Sequence, residues 1–413
     1  MHKPKLSKNP SGTIIGYSGK RPVCIPDDAK HVFICGTTGS GKTVALSNFL
    51  KNIIDNDLGA LVIDGKGDTG EGSILDILQR MNTGRKIYVI SLSSPELSDT
   101  YNPFKNASTT TARDMLINMT DWSEEHYKLN VERYIQRVLQ LFKLAGIPFS
   151  FKKIIKCLHT DKFIEVSAEL LKRNVITKDD HAENLDIAKT SGKISQSSIA
   201  RFSTIAESEV GDIFSDNGID ISTALKENAI ILFILNPLVY PELTPAFGRL
   251  ILIDAKKAIG DLFKAQNKRT FFIMDEINTY ATTELTDLVN KSRSAGVTCV
   301  LATQSLSDLD FACGEAYKEQ IIENCNNYLV MRQNSAVNAE NWANILGTKS
   351  TLEVTYQLQQ KGLDTSETGY GSARRVREFL YHPDDIKNMR TGEAIYLSRD
   401  VKFNSKIKVN KPF

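Results

Sequence analysis

The run Gly36-Thr37-Thr38-Gly39-Ser40-Gly41-Lys42-Thr43 restricts this chain to few folds. It fits the phosphate-binding pattern G-x-x-x-x-G-K-[ST], and its flanks fit as well. Ahead of it His31-Val32-Phe33-Ile34-Cys35 reads as a buried strand, and behind it Val44–Leu50 carries apolar residues at helical spacing. A chance glycine turn is the alternative, and the strand and helix on its two sides weigh against it. Glycines let successive N–H groups face one anion, and the helix N-terminus adds partial positive charge there. In that setting Lys42 reaches the β- and γ-phosphates of a nucleotide, and the Thr43 hydroxyl ligates Mg²⁺. ATP and Mg²⁺ are therefore the expected ligands of Gly36–Thr43.

Strand-like runs recur along the 413 residues at 31–35, Ala60–Ile63, Lys86–Ser91, Asn228–Leu235, Thr270–Met274, Val297–Ala302, Tyr328–Met331 and Ala394–Leu397. Several are continuously apolar, as in a parallel sheet covered on both faces. Helical patterns separate many of them, so a doubly wound, mainly parallel α/β sheet is expected. Between Asp99 and Asn228 strand signals largely vanish, while Glu132–Leu144, Phe163–Lys172 and Ile194–Ile205 show helical spacing. The expected organisation is an extended, proline-punctuated lead-in at 1–30, a nucleotide-binding domain at 31–108 and 216–413, and an all-helical insertion at 109–215. The charged stretch Lys172–Lys189 reads as a loop and helix ends.

The net charge of +2 offers no global field for nucleic acid, so any such contact is local. Lys152, Lys153, Lys156, Lys172, Arg173 and Lys178 cluster in the helical stretch. They read as a solvated face, with a DNA contact as the alternative. The six cysteines form no C-x-x-C pair, and Cys35 and Cys299 read as buried thiols in a reducing compartment. The longest apolar run, Ala229–Leu235, is seven residues, against about 20 for a spanning helix, so no membrane span is expected.

The second half of an ATPase site is legible at Phe271-Phe272-Ile273-Met274-Asp275-Glu276, an apolar strand ending in two carboxylates. Strand C-termini form the ligand crevice of a parallel sheet. Asp275 is placed to hold Mg²⁺ through water, and Glu276 to orient or deprotonate the attacking water. Gln304, after Val297–Ala302, is placed to read the γ-phosphate or position the water, with a strand-terminating cap as the alternative. Arg293 lies eleven residues before Gln304, at a helix end read as near the same rim. It either stabilises transition-state charge at a neighbouring subunit's γ-phosphate or faces its own helix dipole.

These residues together resemble the conjugative coupling proteins of type IV secretion systems (TraG/TraD type), within the FtsK/HerA superfamily of ring ATPases. His31 and the loop GTTGSGKT are similar to the family's opening. Ile63-Asp64-Gly65-Lys66-Gly67-Asp68 resembles its D-P-K-G-E motif, with Gly65 and Asp68 replacing Pro and Glu. Tyr101-Asn102-Pro103-Phe104 resembles the N-P-[LF] element ahead of the family's all-alpha domain. Met274–Glu276, Arg293–Gly296 and Ala302-Thr303-Gln304-Ser305 match its second nucleotide motif and sensor stretch. Asn324, Arg332 and Gly347 fall in a stretch like the family's N-…-R-…-G segment. Arg377–Ile386 with Thr391-Gly392-Glu393-Ala394 resembles its closing segment.

The resemblance implies a RecA-like P-loop NTPase forming a homo-hexameric ring, with ATP hydrolysed between subunits. It implies single-stranded DNA and its relaxase as cargo, handed to the type IV secretion channel, with double-stranded DNA as an alternative substrate. The implied location is cytoplasmic, at the inner face of the cell membrane. Family members usually carry two N-terminal membrane helices, so membrane attachment is expected only through a partner or an anchor absent from this chain. Two other readings stay open: an FtsK/HerA-like DNA translocase for segregation, end processing or packaging, and a nucleotide-gated docking platform for secreted protein cargo.

Overall fold

A computed structural model describes residues 12–26, 30–81, 84–119, 122, 124–265, 269–361 and 364–412. The first half runs β1 (Gly12–Ser18), β2 (Arg21–Pro26), β3 (His31–Cys35), α1 (Lys42–Asp55), β4 (Gly59–Asp64), α2 (Ile74–Arg80) and β5 (Ile87–Ser91). Seven α-helices follow: α3 (Thr109–Asn118), α4 (Glu125–Ala145), α5 (Phe151–Leu158), α6 (Thr160–Lys172), α7 (Lys178–Ile187), α8 (Gln196–Glu207) and α9 (Ile221–Lys226). The α/β pattern resumes with β6 (Ile230–Ile234), α10 (Leu243–Ala265), β7 (Thr270–Asp275), α11 (Thr283–Ser292) and β8 (Val297–Thr303). Then come α12 (Leu306–Cys313), α13 (Glu315–Asn324), β9 (Cys325–Met331), α14 (Ala336–Leu346), β10 (Thr348–Lys361), β11 (Asp364–Phe379), α15 (Pro383–Lys387), β12 (Glu393–Ser398) and β13 (Phe403–Val409).

Eleven strands form one sheet in the order β2-β1-β13-β12-β9-β3-β8-β7-β4-β6-β5. From β9 to β5 every pairing is parallel, while β12, β13, β1 and β2 add an antiparallel edge. The strands β3, β4, β6, β7 and β8 are buried at every residue. That double burial explains their unbroken apolar runs, since helices cover both sheet faces. The chain is therefore a doubly wound α/β protein.

Three stretches depart from expectation. Within the lead-in, residues 12–26 pair as a hairpin on the sheet edge, and residues 1–11 and 27–29 lie outside the described residues. Ile15, Val23 and Ile25 are its buried face against the core containing Phe49 and Leu50 of α1. Gly19, at φ 62, makes its turn, a conformation that glycine adopts without Cβ strain. The charged stretch 172–189 holds a full helix, α7, started by a capping box between Thr177 and Asp180. It buries only Asn184 and Ile187, so it lacks the apolar stripe that marks a helix in sequence. Finally, β10 and β11 form a separate two-stranded ribbon rich in Thr, Ser, Gln and Arg.

The Tyr101–Phe104 element is a joint between the helical stretch and the sheet. Tyr101 Oη donates to Asp254 Oδ2 of α10 at 2.8 Å, and Lys257 donates to the carbonyls of Pro103 and Lys105 at 3.0 and 3.1 Å. Asn102 Nδ2 donates to the carbonyls of Phe149 and Asp216 at 3.1 and 3.2 Å. The rings of Phe104 and Phe151 stack at 6.1 Å, and Phe151 meets Phe214 at 4.5 Å. Both helices and sheet thus share one continuous apolar core.

Candidate active site

The site sits at the C-terminal ends of β3, β8 and β7, which are adjacent in that order. The loop 36–41 leaves β3 and enters α1 at Lys42. Its glycines are required by shape. A Cβ on Gly36 would lie 2.6 Å from Met331 Cβ and Ser40 Oγ, and Gly39 and Gly41 have φ of 73° and 106°. Gly36 N–H donates to the Thr303 carbonyl at 3.2 Å, and Thr37 N–H to the Arg332 carbonyl at 2.9 Å, so neighbours on both sides anchor the loop.

A hydrogen-bonded chain crosses the crevice. Thr38 Oγ1 donates to Gln304 Oε1 at 3.1 Å, and Gln304 Nε2 donates to Glu276 Oε1 at 3.1 Å. Lys42 Nζ lies 3.4 Å from the same Glu276 oxygen and donates to the Gly36 carbonyl at 2.8 Å. Lys42, Asp275 and Glu276 are all buried. Glu276 adopts φ 47° and ψ 52°, a left-handed conformation that costs a non-glycine residue about 1–3 kcal/mol. Its Oε2 is buried without a hydrogen-bond partner. A buried carboxylate oxygen left open is an acceptor prepared for a donor such as water.

Asp275 accepts from the Glu276 N–H at 3.0 Å. Burial pushes its carboxyl up to about 7, with the charges of Glu276 and Asp64 adding to the shift. Asp64 is its register partner on β4, and burial pushes that carboxyl up to about 6. Among the described residues no group of three His, Cys, Asp or Glu side chains is placed to hold a metal ion by itself, so a cation beside Asp275 would need further ligands. The oxygen donors of Asp275 and Thr43 suit Mg²⁺.

Not all of this was visible in the sequence. Thr391 Oγ1 donates to the Gly39 carbonyl at 3.0 Å, and Gly392 N–H to the Ser40 carbonyl at 2.9 Å. The closing segment therefore braces the loop. Arg332 has a buried Nε without a hydrogen-bond partner beside the same loop. Arg293 is not on this rim. It forms a short 3-10 turn with Ser294 and Ala295 after α11, exposed, at the start of β8. The whole of β8, seven residues, separates it from Gln304, about 20 Å at strand rise. Helix α11 runs antiparallel to β8, so its end necessarily returns to the opposite edge.

His31 occupies that opposite edge. Its Nδ1 accepts from the Cys299 N–H at 3.0 Å, and its Nε2 lies 2.9 Å from the Val289 carbonyl, which assigns the neutral tautomer protonated at Nε2. Burial pushes the imidazole down to about 4, partly opposed by the Val289 carbonyl and reinforced by the Arg293 charge. A depressed histidine leaves the folded state with fewer protons than the unfolded chain. Its stabilisation is complete above about 6.5 and is lost as pH falls toward 4. Relative to His31→Gln, wild-type protein should lose about 3 kcal/mol of stability between pH 7 and pH 4, read from urea unfolding at both values. Parallel losses in the two proteins would show that His31 is not held neutral.

Of the lysines in the helical stretch, Lys152 pairs with Asp212 at 2.8 Å and Lys153 pairs with Asp216. Part of that positive charge is thus neutralised internally. A cavity of about 820 Å³, lined by Trp122, Arg201, Tyr240 and Glu242 among others, shares no residue with the glycine loop.

Strand, glycine loop, helix and an acidic pair on a near strand define a P-loop NTPase domain. Residues 12–232, more than half of the chain, match the family model described as the central domain of helicase HerA, and residues 269–391 match the TraM recognition site of TraD and TraG. The chain belongs to the HerA family, and its later part is of the TraG/TraD type. An uncharacterized protein of Mycoplasma pneumoniae is 30% identical over 104 residues, 25% of this chain and 69% of that protein. Among solved structures, an unbound form of the bacterial conjugative coupling protein TrwB superposes with a TM-score of 0.70 at 16% identity, covering 99% of this chain and 90% of the other. TrwB in complex with ADP and Mg²⁺ gives a TM-score of 0.64 at 16% identity, covering 95% and 88%. No helix among the described residues is long and apolar enough to cross a membrane.

Proposed function

We propose that this chain is an ATP-driven motor of a conjugation or type IV secretion system, coupling a relaxase–single-stranded DNA complex to the transfer channel and helping to move it. The observation that carries the reading is the pair of hydrogen bonds Thr38–Gln304–Glu276, closed by the Glu276–Lys42 ion pair, which joins glycine loop, Gln304 and acidic pair in one crevice. The loop N–H groups and Lys42 hold the β- and γ-phosphates of ATP. Glu276 accepts a proton from the attacking water, and Gln304 fixes the carboxylate that does so. Mg²⁺, held by Thr43 and through water by Asp275, would neutralise charge on the phosphate oxygens.

The reading predicts that ATP turnover per chain rises with protein concentration and rises again with single-stranded DNA. A phosphate-release assay over a concentration series, with and without DNA, measures both. A rate independent of both overturns the motor, whereas DNA-insensitive hydrolysis would favour a docking platform. The match to the HerA central domain favours one second reading, a DNA translocase for segregation, end processing or packaging. Stimulation by duplex ends, with none by relaxase-bound single strands, separates it.

A further inference from the structure

The ribbon β10–β11 pairs with no other strand among the described residues. At 14 residues, β10 extends for about 45 Å. A lone two-stranded ribbon is marginal in water, so its two faces bear on what covers it. Near its base one face is paired at two places. Arg374 pairs with Glu353 at 2.9 Å, and Thr351 Oγ1 donates to Glu378 Oε2 at 3.0 Å. The opposite face is not paired there. Leu352 and Val354 are 62% and 47% exposed. Beside them Arg375, directly across from Leu352, and Arg377, across from Ser350, are exposed and without an ion-pair partner among the described residues.

A surface of matching chemistry exists elsewhere on the same chain. Phe311 of α12 is 97% exposed. Asp308, one helical turn before it, and Glu315, at the start of α13, are exposed carboxylates without an ion-pair partner among the described residues. Within one copy the two surfaces do not meet, because Leu352 and Phe311 are both open to solvent. The base of the ribbon is tied to α14 through Gly347, whose carbonyl accepts from Leu380 N–H at 2.9 Å. In turn α14 is tied to α12 through Ser307 and Asn338 at 3.0 Å. The base of the arm is therefore linked to α12 through α14.

We propose that the arm of one copy of this chain lies on α12 of the next, with Leu352 and Val354 against Phe311, and Arg375 and Arg377 against Asp308 and Glu315. The contact is head-to-tail, so it propagates from copy to copy and closes into a ring or extends as a filament. It falls on the element that directly follows Gln304, with Ser305 capping α12 through the Asp308 N–H at 3.0 Å. Docking of a neighbour's arm thus bears on the sensor strand of the nucleotide site. The proposal rests on the assembly that the motor reading requires. Nucleotide binding by the single chain does not depend on it and is measured separately, so failure of one is distinguishable from failure of the other.

The test uses two full-length double variants, Arg375→Glu/Arg377→Glu and Asp308→Arg/Glu315→Arg, with thermal unfolding checking that each folds. Sedimentation velocity with ATP and Mg²⁺ follows assembly against concentration. Each variant alone sets like charges against each other and should need at least tenfold more protein to assemble. An equimolar mixture restores opposite charge at every contact of an alternating assembly, and should assemble as wild type does. Phe311→Ser should weaken assembly without any charge change. Wild-type assembly by either double variant, no recovery in the mixture, or a wild-type chain that stays monomeric throughout would each overturn the proposal. So would a loss of single-stranded DNA binding in Arg375→Glu/Arg377→Glu with assembly intact, which would make nucleic acid the occupant of the arm.

Discussion

Arg293→Ala protein is expected to lose ATP hydrolysis by ~10³-fold or more, and to regain part of it when co-assembled with Lys42→Ala protein. Arg293 is exposed, makes no ion pair among the described residues, and lies at the far end of β8 from the glycine loop of its own copy. It cannot reach its own nucleotide across about 20 Å. In the proposed assembly a neighbouring copy would present it to a γ-phosphate, where a guanidinium stabilises developing charge. A purely structural arginine at that helix end would contribute about 1 kcal/mol of stability and little activity, so the two roles are far apart in size. In a mixed assembly some interfaces combine an intact Lys42 with an intact Arg293, while each variant alone has none. Near wild-type turnover by Arg293→Ala alone, or no recovery in verified mixed assemblies, would refute the trans role. Arg332, whose Nε is buried and unpartnered beside the loop, would then be the arginine to test.

The second large effect belongs to Glu276. Glu276→Gln should retain nucleotide binding and lose hydrolysis by ~10²-fold or more. The substitution keeps the size of the side chain and leaves the glycine loop, Lys42 and Asp275 in place. It removes the charge proposed to accept a proton from water, together with the 3.4 Å ion pair to Lys42. Lys42→Ala should instead weaken binding and hydrolysis together, because the proposed role of Lys42 is to hold the phosphates in both the bound and the reacting state. Binding of a fluorescent ATP analogue and release of phosphate separate the two cases. Turnover by Glu276→Gln within about threefold of wild type would sink the assignment. Its left-handed backbone supports a special role, since a strained non-glycine residue persists only where its surroundings hold it.

Structure is legible in the residues wherever one short segment carries its own physical requirement. The strands β3, β4, β6, β7 and β8 were legible because burial on both faces keeps most of their residues apolar, with buried polar groups such as His31, Asp64, Thr298 and Asp275 as the exceptions. The glycine loop was legible because only glycine tolerates the approach of Met331 and the φ values at 39 and 41. Local reading failed where a segment is polar or short. The hairpin β1–β2 alternates too briefly between prolines, α7 is charged around most of its circumference, and β10–β11 is polar in sequence over most of its length.

By itself, then, the sequence determined the glycine loop between β3 and α1, the strand that ends in Asp275 and Glu276, the place of Gln304 after β8 and the α/β alternation, because each is a local pattern with a local cause. Tertiary structure alone decided that β8 lies between β3 and β7, which is what brings Gln304 within 3.1 Å of both Thr38 and Glu276. It also decided that Thr391 and Gly392 brace the loop, that Asp64 stands beside Asp275, and that Arg293 faces the opposite edge. Strand order and long-range hydrogen bonds follow from how crossover helices pack on a twisted sheet, and that packing leaves no periodic trace in the residues it joins.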